Sequence, residues 1–331
     1  MRKILVVGPA WVGDMMMAQV LFQLLRHQNP TAEIHVLAPV WSEALLSRMP
    51  EVTKSIVLPF GHGQFQLRKR YLFAKQLRAE KYDRAFVLPN SFKSALIPFF
   101  AKIPKRTGFL GESRYGLLND IYALDKEKLP KMIDRFAALA YPKKAILAAN
   151  LPTPYLLLNQ NTVDLSLKKQ GLRKDQKILA LCPGAEYGPS KCWPPDYYAA
   201  VASQKLKEGW AVWIFGSKND CATAELIQAA TEQKCINLTG KTNLSEAVDL
   251  LSLATAVVTN DSGLMHIACA LNRKVIALYG STSPDFTPPL SENALVLKLN
   301  LECQPCFERV CPLKHHHCMR ELMPAQVLLE L

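Results

Sequence analysis

The stretch ANLPTPYLLLNQNT (149–162) interrupts a pattern, and the interruption decides the fold. It holds two prolines and little periodicity, so it reads as a linker. On either side of it, short β-type runs alternate with helix-length amphipathic stretches. Upstream, strands are expected at KILVV (3–7), EIHVLA (33–38), SIVLP (55–59) and RAFVLP (84–89). Helices are expected at 14–28, in the basic run FQLRKRYLFAKQLRAEKY (65–82), at 92–103 and at 134–146. Downstream the rhythm restarts with strands KILALCPG (177–184), AVWIFG (211–216), TAVVTNDSG (255–263) and KVIALYGS (274–281). Helices at 195–209, 220–233, 243–254 and 264–272 lie between them, and PAQVLLEL (324–331) closes the chain as a short helix.

Strands joined by crossover helices form parallel sheets covered on both faces. Two such runs imply an α/β protein with two Rossmann-like, doubly wound parallel-sheet domains. The expected domains are 1–155 and 156–331, with the last helix free to pack back on the first. Ligands of such sheets sit outside the carboxyl ends of the strands, so the strand-to-helix loops carry the chemistry.

The bulk numbers fit this class. The chain has 331 residues, 49% hydrophobic and 21% charged, as in a soluble globular protein. No apolar run approaches the roughly 20 residues that cross a bilayer, and a cytoplasmic protein is expected. A net charge of +12 points to an anionic partner, without choosing among nucleic acid, an acidic membrane surface and a phosphorylated substrate.

Four loops hold unusual residues. GPAWVGD (8–14) is shaped like a phosphate loop but has Asp14 where a P-loop has lysine, and it lacks the dinucleotide fingerprint. Asp14 is therefore either a helix cap or a carboxylate with a functional role in the loop. In CPGAEYGPSKCWPP (182–195), Gly184 and Gly188 allow close backbone approach. Lys191 there is the loop's cation, facing an anion or solvent. In FGSKND (215–220), Asp220 suits either a ribose diol or a cap. In TNDSGLMHIACA (259–270), Ser262 and Gly263 place amides at a helix start, ready for phosphate. His266 shares that end, and Asp261 suits sugar hydroxyls or loop organisation. No paired acids resemble a metal site. The division suits metal-free transfer from a nucleotide donor to a nucleophile held by the first domain.

The strings GPAWVGDMMM, RMPEV, GHG, YDRAFVLPNSFKSALIPFF, RTGF, RYGLLND, TNDSGLMHIACALNR and ALYGSTSPDFTPPL closely resemble the ADP-heptose:lipopolysaccharide heptosyltransferases, over residues 2 to about 290. PNSFKSAL (89–96) and STSPDFTPPL (281–290) favour the branch that adds the second heptose over the one that acts on Kdo2-lipid A. The resemblance implies a GT-B fold with a central cleft and an inverting, metal-independent enzyme. That enzyme would move L-glycero-D-manno-heptose from ADP-heptose to the first heptose of the inner core (Hep-Kdo2-lipid A). It implies Asp14 as general base. Gly184, Lys191, Asp220, Asp261, Ser262, Gly263, Met265 and His266 would bind donor. Gly13, Asn90, Lys93 and Arg114 would bind acceptor. Cys192 follows Lys191 where some relatives carry arginine.

The acceptor's carboxylates and phosphates give the basic charge a purpose, with Arg68, Lys69, Arg70, Lys93, Arg106 and Arg114 as candidates. Peripheral contact with the cytoplasmic leaflet of the inner membrane is expected, and no nucleic acid. The resemblance implies catalysis without a cofactor. The tail CQPCFERVCPLKHHHC (303–318) places Cys303, Cys306, Cys311 and Cys318 at C-x2-C-x4-C-x6-C, which reads either as a structural zinc site or as free thiols. The rival functions are a GT-B nucleotide-sugar epimerase and a non-catalytic anion binder.

Overall fold

The structure is a computed structural model that describes residues 2–61 and 63–331. His62, in the GHG string, lies outside the described residues. The chain divides into two units between Leu157 and Leu158, two residues past the expected boundary.

The first unit runs β1 (Lys3–Val7), α1 (Val12–Gln28), β2 (Glu33–Ala38), α2 (Glu43–Leu46), β3 (Lys54–Val57), α3 (Leu67–Leu77), β4 (Arg84–Val87), α4 (Phe92–Phe100), β5 (Lys105–Phe109), β6 (Asp120–Tyr122) and α5 (Met132–Ala138). The second runs α6 (Gln160–Gln170), β7 (Ile178–Cys182), α7 (Pro195–Lys207), β8 (Ala211–Ile214), α8 (Cys221–Ala230), β9 (Ile236–Asn237), α9 (Leu244–Leu251), β10 (Ala256–Asn260), α10 (Gly263–Ala270), β11 (Lys274–Tyr279), β12 (Ala294–Lys298), α11 (His317–Arg320) and α12 (Pro324–Leu329).

Each unit holds one six-stranded sheet. The orders are β3-β2-β1-β4-β5-β6 and β12-β11-β10-β7-β8-β9, and every pairing is parallel. Counted from the first strand of each unit, both read 3-2-1-4-5-6, the doubly wound order. The chain reverses direction across the sheet between β1 and β4, and again between β7 and β10. Those two switch points are where such sheets hold ligands.

The central strands are nearly continuous apolar runs because helices cover both faces. Ile4 to Val7, Ile178 to Cys182 and Ala256 to Val258 are all buried. The linker's first half belongs to the first unit. Buried Gln19 of α1 accepts the Tyr155 amide at 2.9 Å and donates to Glu51 Oε2 at 3.1 Å. The terminal helix α12 packs on α7 within the second unit, and Val327 joins that unit's core.

Sequence patterning missed β5, β6, β9, β12, α6 and the one-turn helices α2 and α11. These elements are short or half-exposed, and so lack a full apolar stripe. The helix expected over 134–146 is α5, which ends at Ala138. Pro142 has no N–H to give a helix interior and disfavours helical geometry before it.

Candidate active site

At the first switch point the chain leaves β1 through Gly8. A β-carbon there would stand 2.9 Å from Met15 Cε and 3.3 Å from Ala38 Cβ, so a larger residue would have to displace the Met15 side chain from this tight exit. The helix begins at Val12 with Trp11 at its cap position. Gly13 and Asp14 therefore lie inside the first turn, and Asp14 is not the cap. A carboxylate in the first turn is favoured by the helix dipole.

The neighbouring loop, after β4, carries Asn90 and Lys93. Lys93 is half-buried in the first turn of α4, and Asn90 is exposed. Glu112 accepts the Phe92 amide at 2.8 Å and closes the start of α4.

Arg114 does not reach outward as the resemblance implies. It is completely buried. Its guanidinium donates to the Pro89 carbonyl at 2.6 Å, the Leu110 carbonyl at 3.0 Å, Ser94 Oγ at 3.2 Å and the Phe109 carbonyl. A weaker contact reaches Asn90 Oδ1 at 3.4 Å. Burial pushes its pKa down to about 10. The residue ties the β4–α4 loop to the end of β5, and has no capacity left for an external anion.

Two further acceptor candidates are also spent internally. Arg70 is buried against the Phe60 ring and donates to the Phe65 and Gln64 carbonyls. Arg106 donates to the Leu117 and Ile103 carbonyls. Arg68 and Lys69 are exposed.

At the second switch point, Lys191 Nζ lies 2.6 Å from Asp261 Oδ2 and 3.3 Å from the Asp261 carbonyl. Asp261 is buried, and its Oδ2 also accepts Thr282 Oγ1 at 2.7 Å. The loop lysine and the loop carboxylate thus form one pair. Asp261 organises the loop, which was one of its two expected roles. Ser262 is the cap residue of α10 and Gly263 its first helical residue, so the first-turn amides lack helical acceptors.

His266 is buried beside this pair. Burial lowers its pKa to about 4, with Asp261 opposing the shift and Lys191 adding to it. It is therefore neutral at pH 7. Met265 is fully buried, and its sulfur takes the Tyr279 hydroxyl at 3.6 Å. Its side chain belongs to the core, not to a donor surface.

Asp220 closes a capping box, accepting the Ser217 amide at 2.7 Å and the Ser217 hydroxyl at 2.9 Å. A β-carbon on Gly184 would stand 2.3 Å from Asp220 Oδ1, so Gly184 makes room for that carboxylate.

The two halves therefore place Asp14, Asn90 and Lys93 at one switch point, and Lys191, Asp261, Ser262, Gly263 and His266 at the other. Residues 70–317 match Glycosyltransferase family 9 (heptosyltransferase). The chain belongs to that family.

This heptosyltransferase is 48% identical to lipopolysaccharide heptosyltransferase 2 of Escherichia coli (strain K12), over 99% of this chain and 97% of the relative. It is 52% identical to lipooligosaccharide heptosyltransferase 2 of Haemophilus influenzae, over 90% and 88%. The solved structure of E. coli ADP-heptose lps heptosyltransferase II superposes with a TM-score of 0.90 at 46% identity, covering 99% of this chain and 97% of that one. The GT-B class is thereby shown, and with it an enzyme of lipopolysaccharide biosynthesis.

Sequence reading missed several residues on which this heptosyltransferase site stands. Asn260, the last residue of β10, is fully buried. It accepts the Trp193 amide at 3.1 Å and the Tyr198 hydroxyl at 3.0 Å, and donates to the Pro183 carbonyl at 2.6 Å. It thereby pins the Lys191 loop to the α10 loop. An asparagine ending an apolar strand was the available signal. Ser190 and Ser281, joined at 2.9 Å, gave none.

The four tail cysteines line one small cavity together with His315 and His316. Among the described residues, no three His, Cys, Asp or Glu side chains are grouped as metal ligands.

Proposed function

We propose that this heptosyltransferase moves L-glycero-D-manno-heptose from ADP-heptose to the first heptose of the lipopolysaccharide inner core, with inversion and without a metal. Full-length likeness to proteins named heptosyltransferase 2 carries the reading. The loops at both switch points agree with it.

In this reading Asp14 accepts the proton of the attacking hydroxyl. An alcohol is a weak acid until its oxygen has begun to bond to carbon, so the proton moves late and position counts for more than basicity. Departing ADP gathers negative charge, which Lys191 and the Ser262 and Gly263 amides stabilise. Asp261 holds Lys191 in place for that task. Asp220, whose Oδ2 closes the Ser217 capping box, is the carboxylate for the donor's ribose. Gly13, Asn90 and Lys93 bind the anionic acceptor.

Contact with the inner-membrane surface is part of the proposal. No helix among the described residues is long and apolar enough to cross a membrane. Around α3, however, Phe65, Leu67, Tyr71 and Leu72 are exposed beside Arg68 and Lys69, the mix that favours an anionic lipid interface. Co-sedimentation with anionic vesicles tests this, and equal pelleting with neutral vesicles or none would remove it. A structural zinc on Cys303, Cys306, Cys311 and Cys318 is a separate proposal, supported by their spacing and shared cavity. Metal analysis of protein purified under reducing conditions decides it.

The central test is transfer from ADP-heptose to core acceptors carrying zero, one or two heptoses. Product only from the mono-heptosylated acceptor is expected. Product from the heptose-free acceptor would assign the first-heptose reaction instead.

A further inference from the structure

The second switch point is short of unspent positive charge for a diphosphate. Lys191 is neutralised by Asp261 at 2.6 Å. His266 is buried and uncharged at pH 7. Helix α10 offers only the partial charge of its first turn.

Arg309 stands beside the same loop. Its carbonyl accepts the Ser190 amide at 3.1 Å. Its neighbours grip the loop as well: the Glu308 carbonyl accepts Ser190 Oγ, and the Phe307 carbonyl accepts the Tyr187 hydroxyl. His316 Nε2 lies 2.9 Å from the Ser190 carbonyl. At Gly188 an added β-carbon would stand 2.5 Å from the Arg309 carbonyl, so the two backbones pack directly together. The position of Arg309 relative to Lys191 is therefore fixed by the backbone.

The side chains meet at one ring. Lys191 Nζ is 4.9 Å from the Tyr187 centroid, and Arg309 Cζ is 5.4 Å from it. The two cations are thus separated by no more than about 10 Å. Arg309 is exposed. Unlike Arg70, Arg106 and Arg114, its guanidinium has no hydrogen-bond or carboxylate partner among the described residues. Five N–H donors in a planar fork are left, suited to paired phosphate oxygens.

We propose that Arg309 binds the diphosphate of the ADP donor, as the cation that Lys191, held by Asp261, does not supply alone. The inference rests on the donor reading above. The segment between Cys306 and Cys311 then has a role in donor binding, because it carries this arginine to the Lys191 loop.

Calorimetric titration of the full chain with ADP and with adenosine tests it. Wild type should bind ADP more tightly than adenosine. Arg309→Gln should weaken ADP about ten- to a hundredfold, leave adenosine within about twofold and reduce the salt dependence of ADP binding. Arg309→Lys should recover part of the loss. Arg309 is exposed, so an unchanged melting curve is expected for both variants. Equal ADP affinity for Arg309→Gln and wild type would overturn the inference. So would an equal loss for ADP and adenosine. Wild type that binds no ADP would overturn the donor reading itself, and this inference with it.

Discussion

Lys191 Nζ and Asp261 Oδ2 are 2.6 Å apart, with 12% and 4% of their side chains exposed. The residues are 70 positions apart in the chain. One strand-end loop supplies the cation and the other the carboxylate, so the pair joins the two sides of the switch point. Breaking such a buried pair from one side strands a charge, which costs more than removing both.

Asp261→Asn should therefore lower the second unit's stability by about 3 kcal/mol. Lys191→Met should cost at least as much, because it strands the more buried Asp261 carboxylate on the Thr282 hydroxyl. The double variant should be more stable than the sum of the two losses predicts. Thermal melting of all four proteins closes the cycle, and simple additivity would mean the pair is not coupled.

Asp14→Asn keeps the size and shape of the side chain and removes the base. The variant should melt within a few degrees of wild type and bind ADP-heptose normally. Turnover should drop by about 10²-fold or more, the range for positioned general bases. Near-normal heptose transfer by this variant would sink the base assignment.

Arg114 supports a loop, so its loss should appear first in stability. Arg114→Ala should destabilise the first unit by about 3 kcal/mol, because several carbonyls lose their donor and a cavity opens. Arg114→Lys should recover little, since one ammonium cannot replace a fork of five donors. A stable Arg114→Ala enzyme with only a raised acceptor KM would restore the binding role that the resemblance implied.

The neutral His266 gives stability a pH dependence whose sign is fixed. Burial lowers its pKa to about 4 in the folded chain, from the ordinary histidine value of 6.5. Between those values the unfolded chain binds more protons, so stability drops as pH falls from about 6.5 to 4, by at most roughly 3 kcal/mol. Above pH 6.5 this residue contributes no slope. Melting curves across that range should flatten in His266→Gln, and an unchanged slope would place the dependence elsewhere.

Gly184→Ala would set a methyl 2.3 Å from Asp220 Oδ1 and 2.4 Å from its Cγ. The carboxylate must then leave the Ser217 capping box. A loss of about 1–3 kcal/mol is expected, typical of overpacking, and Asp220→Ala should relieve part of it. Melting temperatures of the two single variants and the double variant check this.

The two-unit α/β plan is written in the chain's apolar periodicity. KILVV and ILALC lie on central strands covered on both faces, and burial on both faces writes itself as an unbroken apolar run. The linker showed because prolines end that rhythm. Asp14, Lys191 and the Asp-Ser-Gly loop were legible because each follows such a strand, where a doubly wound sheet opens to ligand.

Of the four edge strands only β3 was legible, as SIVLP. β6 has three residues and β9 has two, too few for any period to appear. Nor did the sequence show what each charge touches. Arg68, Arg70, Arg106 and Arg114 look alike as letters, yet tertiary packing left one exposed and spent three on carbonyls. Lys191 found its carboxylate 70 residues away, and Arg309, distant in sequence, met Lys191 at the Tyr187 ring of the lysine's own loop. Local periodicity reports which face of an element is buried. Which polar group meets which depends on long-range closure, and only the folded chain decides it.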